Sequence, residues 1–152
     1  MSASIPIIER TARWLLSQQG SDGSWGGQGV AGQMESWNTL RNSRLPMTAY
    51  ITWALVESGY LQESGTQRAF NYLRAHWSEA EDAYSLALVA NALVSAKDSA
   101  AQPALDKLAS FATRDAQRDT ARWASQTQSF TGASGKVADL ETTALAAQAL
   151  LR

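Results

Sequence analysis

Few residues in this chain have the type and spacing that chemistry needs. His76 is the single imidazole among 152 residues, and it stands beside Trp77 near the end of a helical stretch. There it complements the partial negative charge of a helix C-terminus. A general-base role needs an orienting acid and a nucleophile within reach, and the sequence sets neither beside it. Glu79, Glu81 and Asp82 form an acidic cluster. Paired carboxylates hydrolyse glycosides at the right separation, but acids just ahead of a helix are also what its N-terminus attracts, so capping is the reading. Gly27 to Gly32 (GQGVAG) carries the letters of a dinucleotide fingerprint. That fingerprint needs a preceding apolar strand and a following helix, whereas SDGSW precedes and QMESW follows, so the segment reads as a glycine-rich loop. With one histidine, no cysteine and no Asp-rich loop at ligand spacing, the chain has no zinc or calcium motif. No cofactor is expected.

The inventory excludes more. Without cysteine, disulfides, thiol catalysis and cysteine-ligated metal are ruled out. Thirteen Lys and Arg face 14 Asp and Glu, for a net charge of −1, so no clustered basic surface calls for a nucleic-acid partner. No apolar run reaches the roughly 18 residues of a membrane span, and MSASIPIIER lacks the basic-then-apolar order of a signal peptide. The length suits one domain. Its 27 alanines and six tryptophans point to closely packed helices with large aromatic fillers.

Those helices are set by periodicity and punctuation. The first is expected from about Ile8 to Gln19, with Gly20 as a left-handed stop. A glycine-rich irregular segment, Gly20 to Leu45, follows. The second helix is expected to begin at Pro46 and end near Ser58, before Gly59, and the third covers about Thr66 to Trp77. Asp82 reads as the cap of a fourth that ends near Ala96. Ser99 and Gln102 read as a capping box for a fifth, with Pro103 in its first turn. Residues 113 to 138 read as a second irregular stretch, and Asp139 as the cap of a last helix, Leu140 to Leu151.

Two kinds of helix alternate. The second, fourth and last (TAYITWAL, AYSLALVANAL, TTALAAQAL) carry small residues on several faces and read as buried on most sides. The first, third and fifth set charges opposite an apolar stripe and read as half-exposed. An Ala-Leu pair recurs in the inner kind at Ala54-Leu55, Ala92-Leu93 and Ala149-Leu150, and an Ala/Leu pair four apart recurs in the outer kind at Ala12/Leu16, Ala69/Leu73 and Ala104/Leu108. The chain is therefore expected to be all-α, with three outer–inner helical hairpins; a six-helix bundle is the alternative packing.

The most specific local signal is Gln18-Gln19-Gly20-Ser21-Asp22-Gly23-Ser24-Trp25. Asp22-Gly23 forms a tight turn, the Trp25 ring folds back on the first helix, and Gln19 hydrogen-bonds exposed backbone at the helix end. Gln19, Asp22, Gly23 and Trp25 are thus a structural brace between hairpins.

WLLSQQGSDGSW resembles the helix-end motif of α/α-toroid proteins: terpenoid cyclases, protein prenyltransferase β subunits, and the thioester domains of complement and α2-macroglobulin proteins. LPMTAYITWALVESG and EDAYSLALVANALVSA are similar to inner helices of the thioester domain. Asp119 to Ser125, with Trp123, resembles a tryptophan-bearing excursion there, and ADLETTALAAQALL its closing helix. The resemblance covers nearly the whole chain.

It implies a partial α/α toroid, since the family's closed toroid has about twice as many hairpins. The family's reactive bond joins a cysteine to a glutamine in a Cys-Gly-Glu-Gln motif, which this chain without cysteine cannot form. The family's complement members direct the opened thioester with a histidine in the loop before the TAY-type helix. The matching loop, Val30 to Glu35, has none, and Gly32, Gln33 and Glu35 are its expected thioester-facing residues. The chain, starting MSAS and ending within a helix at Arg152, reads as one domain-sized segment (1–152) of a larger toroid. The expected role is a non-catalytic scaffold in a protease-trapping, extracellular or periplasmic α2-macroglobulin-like protein of bacterial type. Its partners would be the rest of that parent and, through the parent, proteases, with self-association through the exposed toroid edges. A terpenoid cyclase or prenyltransferase fragment, or an independent peptide-binding helical repeat, are the alternatives; the Asp-rich or zinc-ligand sets of those enzymes are absent here.

Overall fold

A computed structural model of the chain describes residues 5–26 and 44–152. Within them lie six α-helices: α1 (Ile5–Ser17), α2 (Arg44–Glu57), α3 (Ser64–His76), α4 (Ala83–Ser95), α5 (Ala101–Ser110) and α6 (Gly135–Leu150). A single 3-10 turn, Trp77–Glu79, follows α3, and a two-stranded antiparallel hairpin, β1 (Thr113–Asp115) and β2 (Thr120–Arg122), follows α5. The all-α expectation is met, with that small hairpin as the addition.

α4 is the axis of the packing. Every residue from Ala83 to Leu93 is buried, as its small and aliphatic sequence requires. It packs between α2 and α6, the other two inner helices, and against α5. The outer α3 and α5 bury only stripes: Ala69, Phe70 and Leu73 on one, Ala104 and Leu108 on the other. Their recurring Ala/Leu pairs all reach the core. α1 lays Ala12, Leu15 and Leu16 against a second cluster of Met47, Ile51, Leu55 and Ala69.

The helix ends follow local chemistry where local groups decide them. Asp82 caps α4, accepting a hydrogen bond from Ser85 N at 2.9 Å. α2 stops at Gly59 (φ +89°), with Tyr60 N donating to Leu55 O and Gly59 N to Val56 O, the paired bonds of a left-handed C-terminal cap. α4 ends the same way with Lys97 in the left-handed position (φ +54°) and Asp98 N on Leu93 O.

Five expectations are corrected. α1 starts at Ile5 because Pro6 is tolerated in a first turn, and it ends without a left-handed glycine: Gly20 has no positive φ, and Gly23 does instead. The box at Ser99 and Gln102 does not form. Asp98 Oδ1 accepts from Ala100 N, while Gln102 donates to Asp106, and α5 begins at Ala101. Residues 113 to 138 are not wholly irregular, since they hold the hairpin, in which Thr113 pairs with Arg122 and Asp115 with Thr120. α6 begins at Gly135, and Asp139 lies inside it, where its carboxylate serves Ser125 N (2.8 Å) rather than capping its own helix. Finally, α6 is not buried on most sides. It hides one stripe, Ala138, Thr142, Ala146 and Ala149, and leaves Val137, Leu140 and Leu150 exposed. In the inner Ala-Leu pairs, Ala54 and Leu150 accordingly face solvent.

Candidate functional site

The brace assembles around the end of α1. Gly23 N donates to Gly20 O (3.0 Å) and Gly20 N to Ser24 O (2.8 Å), which closes a tight loop. Asp22 Oδ1 stabilises it by accepting from Ser24 Oγ (2.8 Å) and Ser24 N (3.1 Å). These bonds, the hydroxyl first, hold the Asp22 carboxyl below its usual pKa; its other oxygen lies 3.4 Å from Arg44 of α2. Gly23 sits at φ +85°, and a Cβ there would stand 2.4 Å from the carbonyl oxygen of Arg68 on α3. Only glycine fits.

Gln19 joins α1 to α3. Its amide nitrogen donates to Gly23 O (2.9 Å) and Gly65 O (2.7 Å), and its carbonyl oxygen accepts from Arg68 Nη2 (2.7 Å). Trp25 is buried. Its indole N–H reaches back to Leu15 O at 2.7 Å, a carbonyl in the last turn that otherwise accepts only the 3.1 Å bond from Gln18 N. Its backbone N–H donates to Thr48 Oγ1 (2.9 Å), and that hydroxyl returns a bond to Trp25 O (3.3 Å). Gln19, Asp22, Gly23 and Trp25 thus lie together around the end of α1.

The same device occurs again at the third hairpin. Trp123 is buried, donates its indole N–H to Leu108 O of α5 (2.7 Å), and exchanges backbone bonds with Thr143 of α6 (3.0 and 3.3 Å). Each tryptophan therefore bolts the end of an outer helix to the following inner helix, at its second turn in α2 and at its middle in α6. Thr48 and Thr143, like Gly65 and Arg68, escape sequence reasoning. A tryptophan past the first and last outer helices, with a threonine in the inner helix after each, was the available signal, blurred by the hairpin inserted before Trp123.

Beyond Trp123 the chain folds over the inner helices. Tyr84 OH accepts from Phe130 N (3.0 Å) and donates to Glu141 Oε1 (3.3 Å), while Glu141 Oε2 accepts from Thr131. Burial pushes the Tyr84 hydroxyl far above its usual pKa, so it stays a neutral donor. The Phe130 ring meets Tyr50 and Tyr84 edge-on.

At their opposite ends the inner helices share Glu57. It accepts from Trp53 Nε1 (3.1 Å) and Ser95 Oγ (2.8 Å) and pairs with Arg152. These bonds, Arg152 first, hold its carboxyl at about 2.

The other candidates take structural positions. His76 ends α3, with Nδ1 on Glu79 Oε1 at 2.9 Å and its ring over Tyr72. No group of three or more His, Asp or Glu among the described residues is arranged to hold a metal. Gly32, Gln33 and Glu35, with the GQGVAG segment, lie outside the described residues. Both flanks of that stretch are tied down, Trp25 to Thr48 and Asp22 to Arg44.

Comparison with known proteins gives two findings. A family model described as the A-macroglobulin TED domain matches residues 2–152. Thioester-containing protein 1 (allele S3) of Anopheles gambiae is 26% identical over 125 residues, which cover 80% of this chain and 9% of that relative's length.

Proposed function

The chain belongs to the A-macroglobulin TED domain family, and from that premise we propose that it is the scaffold part of a thioester domain in a larger protease-trapping protein. Membership selects the thioester-domain family from the toroid families that share the WLLSQQGSDGSW signature. The observation that carries the reading is the repeated bolt, Trp25–Leu15–Thr48 and Trp123–Leu108–Thr143. It is built entirely from hydrogen bonds between helices and offers no reacting atom. It fixes the first and third outer–inner pairs in the same way, as a toroid wall needs.

In this reading the parent is an extracellular or periplasmic macroglobulin-like protein. Bait cleavage exposes its thioester, which acylates the attacking protease. The cysteine of that bond is supplied elsewhere, because this chain has none. In this reading Gly32, Gln33 and Glu35 are the residues of this chain that face the thioester. The scaffold itself catalyses nothing. Incubating the purified chain with methylamine, then with a protease, and recording intact mass tests this. The mass should stay unchanged, and a covalent adduct with either nucleophile would overturn the proposal.

A further inference from the structure

A polar pocket of about 420 Å³ opens where the inner helices begin, between the first turn of α2, the α3–α4 connection and the loop after Trp123. Three carboxylates, Glu79, Glu81 and Asp82, stand on its rim. Two have one oxygen already committed: Asp82 Oδ1 to its helix cap and Glu79 Oε1 to His76. Glu81 is exposed and makes no ion pair with any described residue.

Acids ahead of a helix need no ligand to explain them, but one hydroxyl in the pocket does. Ser85 is only 6% exposed and lines the pocket. Its backbone N–H serves the Asp82 cap, and its hydroxyl bonds to no described residue. Thr127, also on the lining, has both backbone groups on the Ser125 hydroxyl, and its own Oγ1 is sealed from the pocket. A hydroxyl without a protein partner on so buried a residue is open to a ligand's donor. The opposite wall is apolar, made by Leu45 and Pro46. Two cations in neighbouring segments are engaged elsewhere, Arg44 with Asp22 and Lys107 with Ser78 O.

We propose that this pocket binds the side chain of a lysine presented by another polypeptide segment. The ammonium meets the free carboxylate oxygens and the Ser85 hydroxyl, and the methylene stem lies along Leu45 and Pro46. Glu79 and Asp82 each have a single oxygen left, and single oxygens from separate residues suit a compact three-donor ammonium better than a guanidinium fork. The inference is independent of the scaffold reading, because it needs no thioester.

The test is an NMR titration of the full chain at low salt with acetyl-Gly-Lys-Gly-amide, its Nε-acetyllysine counterpart, and methylammonium. The lysyl peptide should give saturable amide shifts at Glu81, Ser85 and Thr127. The acetylated peptide should give none, and methylammonium should bind several-fold more weakly for lack of a stem. Glu81→Gln, at an exposed position, should weaken binding about two- to fivefold, and Ser85→Ala roughly threefold or more. The proposal is overturned by absence of saturable shifts, by equal shifts from the acetylated peptide, by methylammonium binding as tightly as the peptide, or by an unaltered affinity in folded Glu81→Gln.

Discussion

Two glycines with nearly the same backbone angle do different work. Gly23 (φ +85°) and Gly59 (φ +89°) both occupy the left-handed region, but a Cβ on Gly59 meets nothing within 4 Å, while one on Gly23 runs into the Arg68 backbone. Gly59→Ala should therefore cost only the conformational term, about 1 kcal/mol. Gly23→Ala adds a clash with a carbonyl that cannot rotate away and should cost more than about 2 kcal/mol. Urea unfolding of the two variants measures the difference, and equal losses would show that the α1 turn does not press on α3. Glu57 gives a second residue-scale expectation. Its carboxyl is held at about 2 against an ordinary 4.5, so its bonds to Arg152 and Ser95 favour folding most strongly when it is ionised. With a lowered folded value, that contribution is full above the unfolded pKa and is lost as pH falls through the folded one. The stability gap between the native chain and Glu57→Gln should thus be constant near neutrality and shrink between about pH 4.5 and 2. A pair of thermal melts across that range reads it directly.

At the level of elements, the two bolts are equivalent in bonding but unequal in burial, since Thr48 is fully buried and Thr143 half-buried. Replacing Thr48 by Val leaves the Trp25 N–H without its acceptor in a dry site, which should cost about 1–3 kcal/mol. Thr143→Val should cost less, because water can reach the Trp123 backbone. Thermal unfolding of the two variants ranks them, and a larger loss at Thr143 would contradict the assignment. The contrast also explains what the sequence made legible. Asp82, Gly59 and the Gln19–Trp25 brace were readable because cap, stop and turn lie within a few residues of one another. Their remote partners were not. Gln19 reaches Gly65 and Arg68, 46 and 49 residues further on, and Asp139 looks like a cap until Ser125 and Arg122 arrive at its carboxylate. Ser99 and Gln102 failed for the same reason. Asp98, held by Arg74 through two nitrogens, already occupies the α5 N-terminus. The inner–outer alternation was legible for α4, whose neighbours are all in this chain, and misleading for α6, where one side is bare.

That bare side matters for the whole molecule. Val137 and Leu140 on α6 are 62% and 72% exposed, and Leu151 just beyond it 86%, while α1 at the other end of the chain order exposes Ile7, Ile8 and Trp14. Apolar residues gathered on terminal helices favour association. Because the two faces differ in sequence, the prediction is a head-to-tail contact, with the α6 face of one copy on the α1 face of the next. Such a contact propagates unless a ring closes. Light scattering should show molar mass rising with concentration, and both Leu140→Lys and Ile7→Lys should reduce it to the monomer value with helical circular dichroism unchanged. Mixing the two variants then distinguishes the geometry. Leu140→Lys keeps an intact α1 face and Ile7→Lys an intact α6 face, so together they should form a dimer that grows no further. If the contact were instead symmetric, α6 against α6, Ile7→Lys alone would still associate and the mixture would gain nothing.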